Sequence, residues 1–118
     1  MRIVWVIDSM DKLSEFGEEA QLQLGRDLER VQNGVRPLDF GPLAPALPGV
    51  FELRDEDAAF WYRLLYTQIG GQIYVLDCVK KKSNELSKPD VERARKRLAM
   101  VRQEIARQPK EAKRGKQK

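Results

Sequence analysis

The chain has 118 residues, of which 42% are hydrophobic and 34% are charged, with a formal net charge of +4. This length suits one domain with a single core, and the composition is too apolar for a disordered chain. The single cysteine excludes an internal disulfide and a cysteine-rich zinc site, and the absence of histidine excludes catalytic triads that use a histidine base. We expect a cytoplasmic protein, because the first apolar run meets Asp8 too soon for a secretory signal and no run approaches the length of a membrane helix.

The N-terminal third predicts one strand followed by a helical hairpin. Arg2–Ile7 is rich in β-branched and aromatic residues, which favours a strand. A short helix is predicted after Asp8 or Ser9 and a longer one after that, both with apolar side chains at helical spacing. Asn33-Gly34 should end the longer helix, because glycine readily takes the left-handed conformation that follows a helix. The predicted apolar positions are Met10, Leu13, Phe16, Ala20, Leu24, Leu28 and Val31.

The middle of the chain predicts a proline-rich connection and then three strands linked by hairpins. Residues 36–49 hold four prolines and predict an irregular crossing segment, because proline cannot donate a hydrogen bond to a sheet. A charged turn at Asp55–Asp57 and a tight turn at Gly70-Gly71 separate the strands. The three predicted strands are Val50–Arg54, Phe60–Gln68 and Gln72–Val79.

The last segment predicts a helix with a capping box. Ser87 is the predicted cap and Asp90 the partner three residues later. The apolar face of this helix carries Val91, Ala94, Leu98, Val101 and Ile105. Residues 1–108 are expected to form one domain, and the lysine-rich residues 109–118 a basic, frayed tail. The order β-α-α-β-β-β-α predicts an α+β fold, with a small, mostly antiparallel sheet that the helical hairpin covers on one face.

The charge of the chain is unevenly distributed. Residues 1–59 contain 6 Lys and Arg against 12 Asp and Glu, a balance of −6, whereas residues 60–118 contain 16 against 6, a balance of +10. In the basic half, Lys80, Lys81 and Lys82 directly follow the most apolar predicted strand. Fixed positive charge at the edge of a rigid element is typical of an anion site, especially a phosphate site.

These segments, in this order, resemble the RelE/ParE superfamily of bacterial toxins, and above all its phage-derived HigB-like branch. The resemblance covers residues 2–106 and implies the RelE-like α+β fold. Members are toxins of two-gene toxin–antitoxin operons; most cleave messenger RNA in the ribosomal A site without a metal, and the ParE branch poisons DNA gyrase instead. The matching stretches are Gly49–Arg54, Tyr62–Tyr66, Ile73–Leu76, Lys80–Ser83, Lys88-Pro89 and Glu92–Arg97.

The chain departs from the family pattern where acid–base chemistry is concerned. A histidine often stands where this chain has Asp77, and an aromatic residue usually stands where it has Val79. The loop 44–48 lacks the lysine that relatives often carry before the Glu-Leu-Arg strand. Several relatives use a C-terminal tyrosine or a histidine as acid or base, and no such residue follows Tyr74.

The candidate catalytic residues are two arginines, two lysines and a glutamate. Arg54 and Arg63 lie on predicted hairpin partners, where two guanidiniums on one face could grip a phosphate. Lys81 and Lys82 could add charge at the same edge and, if crowded by other cations, serve as base or acid. Glu52 is the alternative base, two residues from Arg54 and therefore on its face of the strand. The candidate RNA-binding residues are Lys80, Arg93, Lys96 and Arg97.

Simpler interpretations and other functions stay open. One alternative for Arg54 is a surface ion pair with Glu52 or Asp55, and one for the basic residues of the last helix is a solvated face. The resemblance implies an endoribonuclease toxin that needs no metal or cofactor, with a small helix-turn-helix antitoxin and ribosome-bound mRNA as partners. The alternatives are a protein of the same fold without nuclease activity, such as a gyrase inhibitor, and an unrelated nucleic-acid-binding domain.

Overall fold

The computed structural model describes the backbone of residues 1–117 and the side chains of residues 1–107. The predicted basic tail, 109–118, lies outside the residues whose side chains are described. No helix within the described part of the chain is both long enough and apolar enough to cross a membrane. The elements are β1 (Arg2–Trp5), α1 (Ser9–Ser14), α2 (Glu18–Gln32), β2 (Phe40–Pro42), β3 (Val50–Glu56), β4 (Trp61–Ile69), β5 (Gln72–Lys81) and α3 (Lys88–Gln117).

The five strands form one sheet in the order β1-β5-β4-β3-β2. β1 runs parallel to β5 and all other neighbours are antiparallel, which confirms the predicted α+β fold with a mostly antiparallel sheet. Gly70 and Gly71, with φ values of 58° and 77°, form the two-residue turn between β4 and β5. Both positions of this turn need positive φ, which glycine adopts without steric cost.

Helices cover both faces of the sheet. The apolar side of α2, which includes the predicted Leu24 and Leu28, packs with Leu53 and Leu64 of the sheet. The predicted apolar face of α3 packs on the opposite face, where Leu98 meets a second buried cluster. Alternation along the strands explains the two clusters, because successive side chains point to opposite faces of a sheet. The second cluster contains Val6, Leu47, Val50, Leu65, Leu76, Ala94, Leu98 and Val101.

Several predicted boundaries were wrong, and β1 ends at Trp5 rather than at Ile7. The proline-rich segment contains the short edge strand β2, whose last residue, Pro42, is tolerated there because an edge strand needs fewer ladder donors. Asp55 and Glu56 belong to β3 rather than to a turn, and they pair with β4. The turn begins at Asp57, whose Oδ1 accepts hydrogen bonds from the backbone N–H groups of Ala59 and Phe60, at 2.9 and 2.8 Å.

The predicted capping box at the start of α3 is present. The backbone N–H of Asp90 donates to Ser87 Oγ at 3.2 Å, and the N–H of Ser87 donates to Asp90 Oδ2 at 3.1 Å. This exchange fixes where α3 begins and therefore where the loop after β5 returns across the sheet.

Candidate active site

The candidate site is centred on Arg54 and Arg63, which occupy directly opposite positions on β3 and β4. Opposite residues of an antiparallel pair lie on the same face of the sheet, as the sequence predicted for these two. Glu52 precedes Arg54 by two residues and shares that face, which is the one that α3 covers.

Glu52 is the carboxylate that joins the two arginines. Its Oε1 accepts a hydrogen bond from Arg63 Nη1 at 2.6 Å and another from Arg54 Nη1 at 3.2 Å. The side chains of Glu52 and Arg63 are only 9% and 6% exposed, so their ion pair is buried. Deletion of either partner of such a pair is strongly destabilising, because it leaves the other charge buried without a counter-ion.

Arg54 lies across the edge strand β2. Its Nε donates to Asp39 Oδ1 at 2.9 Å and its Nη2 donates to the carbonyl oxygen of Phe40 at 2.7 Å. A Cβ added at Gly41 would lie 3.2 Å from Arg54 Nη1, so the absence of a side chain there allows the guanidinium to approach the strand. Neither Asp39 nor Gly41 was predicted to belong to the site, because β2 itself was not predicted.

Arg63 is held on its other side by the loop between β5 and α3. Its Nη2 donates to both the backbone oxygen and the side-chain Oδ1 of Asn84. Together with Glu52, these contacts occupy both terminal nitrogens of the guanidinium. A single asparagine in a polar loop carries no sequence signal for such a contact, and Asn84 was therefore missed.

The three consecutive lysines have three different surroundings. Lys80 and Lys81 belong to β5 rather than following it, and alternation sends them to opposite faces. Lys80 Nζ lies 4.1 Å from the ring centroid of Phe60, a cation–π contact. Lys81 shares the face of Arg63, but its Nζ lies 2.6 Å from Asp90 Oδ2, so its nearest charge is an anion rather than another cation. Lys82 is exposed just beyond the strand.

The neighbouring cations lower the pKa of the Asp90 carboxyl. Burial alone would raise the pKa of its carboxyl, but hydrogen bonds from Lys81, Ser87 and Arg93 lower the pKa to about 2. Asp90 therefore stays ionised through the acid range in which most carboxyls gain a proton, and it keeps Lys81 in place.

Two of the predicted RNA-binding residues form ion pairs within the protein, and of these Arg97 is buried and Arg93 is half-buried. Arg97 is 7% exposed, and its Nη1 donates to the backbone oxygen of Leu76 at 2.9 Å. The other terminal nitrogen of Arg97 lies 2.8 Å from Asp8 Oδ1. Arg93 places its Nε 2.7 Å from Asp77 Oδ2 and its Nη2 2.7 Å from Asp90 Oδ1. Of the three RNA-binding candidates on α3, only Lys96 is exposed.

The fully buried Asp77 explains this arrangement. Its carboxylate contacts Lys12 of α1 at 2.6 Å as well as Arg93 and, at 3.3 Å, Arg97 of α3. A buried carboxylate is stable only when cations and donors surround it, so it draws basic side chains from both helices toward β5. An aspartate inside the apolar run Val75–Val79 was a signal for such partners that the sequence analysis did not use.

A cavity of about 430 Å³ opens at the two arginines. Besides Arg54 and Arg63, it is lined by four carboxylates, which gives it an excess of negative charge. Burial in particular raises the pKa of one of them, Asp55. The lining residues are Asp39, Glu52, Arg54, Asp55, Glu56, Trp61, Arg63 and Asn84. Such a site offers a carboxylate base beside two guanidinium groups that can donate hydrogen bonds to a phosphate, and acidic residues surround them.

Residues 11–99 match the family described as Phage derived protein Gp49-like. The chain belongs to this family. It is a family of RelE/HigB-type toxins, which confirms the predicted membership of the toxin superfamily. The chain thus belongs to a family of toxins of toxin–antitoxin systems, and such toxins generally have an antitoxin partner.

The other comparisons give little further detail. Among solved structures, the chain is similar to the isolated E. coli RelE toxin, with 18% identity, 80% of this chain and 96% of that chain covered, and a TM-score of 0.49. No functionally curated protein matches the chain.

Proposed function

We infer that this Gp49-like toxin is a metal-independent endoribonuclease that cleaves mRNA on the ribosome in the cytoplasm and so inhibits translation. The observation that carries the proposal is the contact of both Arg54 and Arg63 with one oxygen of Glu52. Cleavage of RNA through its own 2′-hydroxyl needs a base next to groups that stabilise charge on phosphorus, and this cluster supplies both.

The proposed reaction uses Glu52 as the base. Glu52 takes the proton of the 2′-hydroxyl while the 2′-oxygen bonds to phosphorus and the bond from phosphorus to the 5′-oxygen breaks. The products are a 2′,3′-cyclic phosphate and a 5′-hydroxyl end. Arg54 and Arg63 stabilise the negative charge of the phosphorane, and Lys81 or Lys82 donates a proton to the leaving 5′-oxygen. Losing one such transition-state donor typically costs roughly 10²–10³ in rate.

The contacts of Arg63 place a requirement on the substrate. Its two terminal nitrogens are occupied by Glu52 and by Asn84, so a phosphate must displace Asn84 to reach Nη2. Arg54 is more accessible, with 37% of its side chain exposed. The phosphate therefore meets Arg54 first and gains Arg63 as the Asn84 loop moves aside.

Long-range attraction of RNA is assigned to the exposed lysines rather than to the cavity. Lys80, Lys82 and Lys96 are exposed, whereas the cavity rim is acidic. Phosphate neutralisation by exposed lysines supplies sequence-independent affinity, and the acidic rim limits non-productive binding at the arginines.

The test is RNA cleavage by purified protein, with and without ribosomes. Wild-type protein should cut mRNA, and Glu52→Gln should cut at least 10²-fold more slowly because the amide cannot accept the proton. Glu29→Gln on the exposed side of α2 is the matched control and should cut normally. Equal rates for Glu52→Gln and wild type, with both proteins folded by their melting curves, would remove Glu52 from the reaction. Expression should also arrest growth, and the neighbouring antitoxin gene should relieve the arrest.

A second candidate function is inhibition of a protein target, such as DNA gyrase, without nuclease activity. The observation that favours it is the acidic lining of the cavity, in which four carboxylates accompany two arginines that are already paired. Wild-type protein that arrests growth, leaves RNA intact with and without ribosomes, and inhibits gyrase supercoiling would establish this function instead.

A further inference from the structure

A second cavity, of about 330 Å³, adjoins the candidate site on the α3 side of the sheet. Four aliphatic side chains line most of it. Leu43 and Leu47 come from the connection between β2 and β3, whereas Leu86 and Val91 come from the start of α3 and the loop before it. We call this cavity the aliphatic pocket.

The aliphatic pocket and the acidic cavity share a wall. Glu52, Arg63 and Asn84 line both of them. A ligand that binds Arg63 through a phosphate can therefore place an adjacent group in the aliphatic pocket. A ribonucleotide has this layout, with a charged phosphate joined through the ribose to a planar base whose faces are apolar.

We propose that the aliphatic pocket holds one unpaired nucleobase of the RNA next to the scissile phosphate. This assignment rests on the ribonuclease function proposed above. Proteins that read single-stranded RNA take splayed-out bases into apolar surroundings and read their hydrogen-bonding edges. A volume of about 330 Å³ lies at the small end of the range for ligand pockets, which suits one base rather than a stacked pair.

Glu85 gives the pocket a preference among bases. Glu85 lines the pocket and is exposed, and its carboxylate can only accept hydrogen bonds when ionised. Guanine, adenine and cytosine each carry an exocyclic amine that can donate to it. Uracil has no exocyclic amine, and its single N3–H donor stands between two carbonyl oxygens, which a carboxylate repels. The pocket therefore favours a base with an exocyclic amine, and uracil is disfavoured.

Binding can be tested without cleavage by methyl NMR. Guanosine 3′-monophosphate should shift the methyl signals of Leu86 and Val91, and uridine 3′-monophosphate should shift them less. Ala46→Phe places a ring at the mouth of the pocket from an exposed position and should abolish the shifts. Ala58→Phe is the matched control, in the exposed turn between β3 and β4, and should keep them.

Specificity is tested by mapping cleavage ends across a transcript. Wild type should avoid uracil at one position beside the cut, and Glu85→Gln should lower this discrimination by roughly 5-fold to 100-fold. Glu19→Gln, on the exposed start of α2, should leave the map unchanged. Cleavage maps that agree between Glu85→Gln and wild type, with no methyl shifts in either, would overturn the base pocket while leaving the nuclease intact. Methyl shifts in a protein that never cuts RNA would overturn the nuclease and support the pocket.

Discussion

Removal of Arg63 and removal of Arg54 should both abolish most RNA cleavage, but they should differ sharply in their effect on stability. Arg63→Ala deletes a side chain that is 6% exposed and leaves Glu52, itself 9% exposed, with Arg54 as its remaining cation at 3.2 Å. Breaking a buried ion pair by deleting one partner costs about 3–5 kcal/mol. Because Arg54 still neutralises part of the charge, we expect the lower end, about 3 kcal/mol.

Arg54→Ala removes a more accessible group. Its side chain is 37% exposed and its partner Asp39 is 61% exposed, so solvent screens most of that pair. Pairs of this kind contribute at most ~1 kcal/mol, and Arg63 still neutralises Glu52 in this variant. We expect a loss of stability of about 1 kcal/mol. Arg54→Ala should therefore leave the fold nearly unchanged, whereas Arg63→Ala should not.

The assay is urea unfolding and thermal melting of both variants, followed by cleavage at a temperature where each is folded. A change of 1 kcal/mol moves the Tm of a domain of this size by about 4 °C, so a loss of about 3 kcal/mol should lower the Tm of Arg63→Ala by about 12 °C. Cleavage should fall roughly 10²–10³-fold in each. Glu52→Gln combined with Arg63→Met should recover part of the stability of Arg63→Ala, because no buried carboxylate remains, and should recover no cleavage.

Two results for Arg63→Ala would refute this reasoning. If Arg63→Ala melts like wild type, the guanidinium does not form the buried pair. If it loses stability yet cuts RNA at the wild-type rate, Arg63 has a structural role only.

Three further predictions concern pH, salt and metal. The pKa of Asp90 is about 2 in the folded protein, below its ordinary value of 3.8. The stability that ionised Asp90 contributes is therefore complete above pH 3.8 and is lost as the pH falls from about 4 toward 2. Asp90→Asn should remove roughly 2 kcal/mol of stability at pH 7, and its stability should depend less on pH in the acid range. RNA affinity should fall steeply with salt, and Lys80→Ala, Lys82→Ala and Lys96→Ala should each lower the log–log slope by about 0.7, whereas a flat plot would argue for a protein target. Cleavage should survive chelation of divalent metal in an assay without ribosomes, and restoration of lost activity by added metal would contradict the proposed reaction.

The parts of the fold that depend on local chemistry were predictable. Ala20, Leu24 and Val31 are buried as the spacing indicated, because a helix with one apolar face must bury it. Gly34 has a φ of 73°, the left-handed conformation predicted for the residue that ends α2. The placement of Arg54 and Arg63 on one face of adjacent strands also followed from the short hairpin that links those strands.

The parts that depend on distant partners were not predictable. β2 forms by pairing with the free edge of β3, and nothing in the proline-containing sequence of β2 itself indicates this partner. Arg97 is buried because Asp77 and Asp8, at least 20 residues away along the chain, require a cation. Asn84 contacts Arg63 from a position 21 residues further on. Among the residues whose side chains are described, the basic residues thus divide between internal ion pairs, such as that of Arg97, and exposed positions, such as that of Lys82. The number of charges alone does not predict this division.

The parallel pairing of β1 with β5 bears on how the toxin is made. Arg2 pairs with Gln72, so the outer edge of the sheet joins residues 70 positions apart. Such non-local contacts form slowly, because a long loop must close before they are gained. At a synthesis rate of roughly 5–20 residues per second, the first strand waits on the order of 4–15 s for its partner to be translated. The nascent toxin therefore lacks its finished sheet until translation is well advanced, and this delay gives an antitoxin that is already present time to meet each new molecule as it folds.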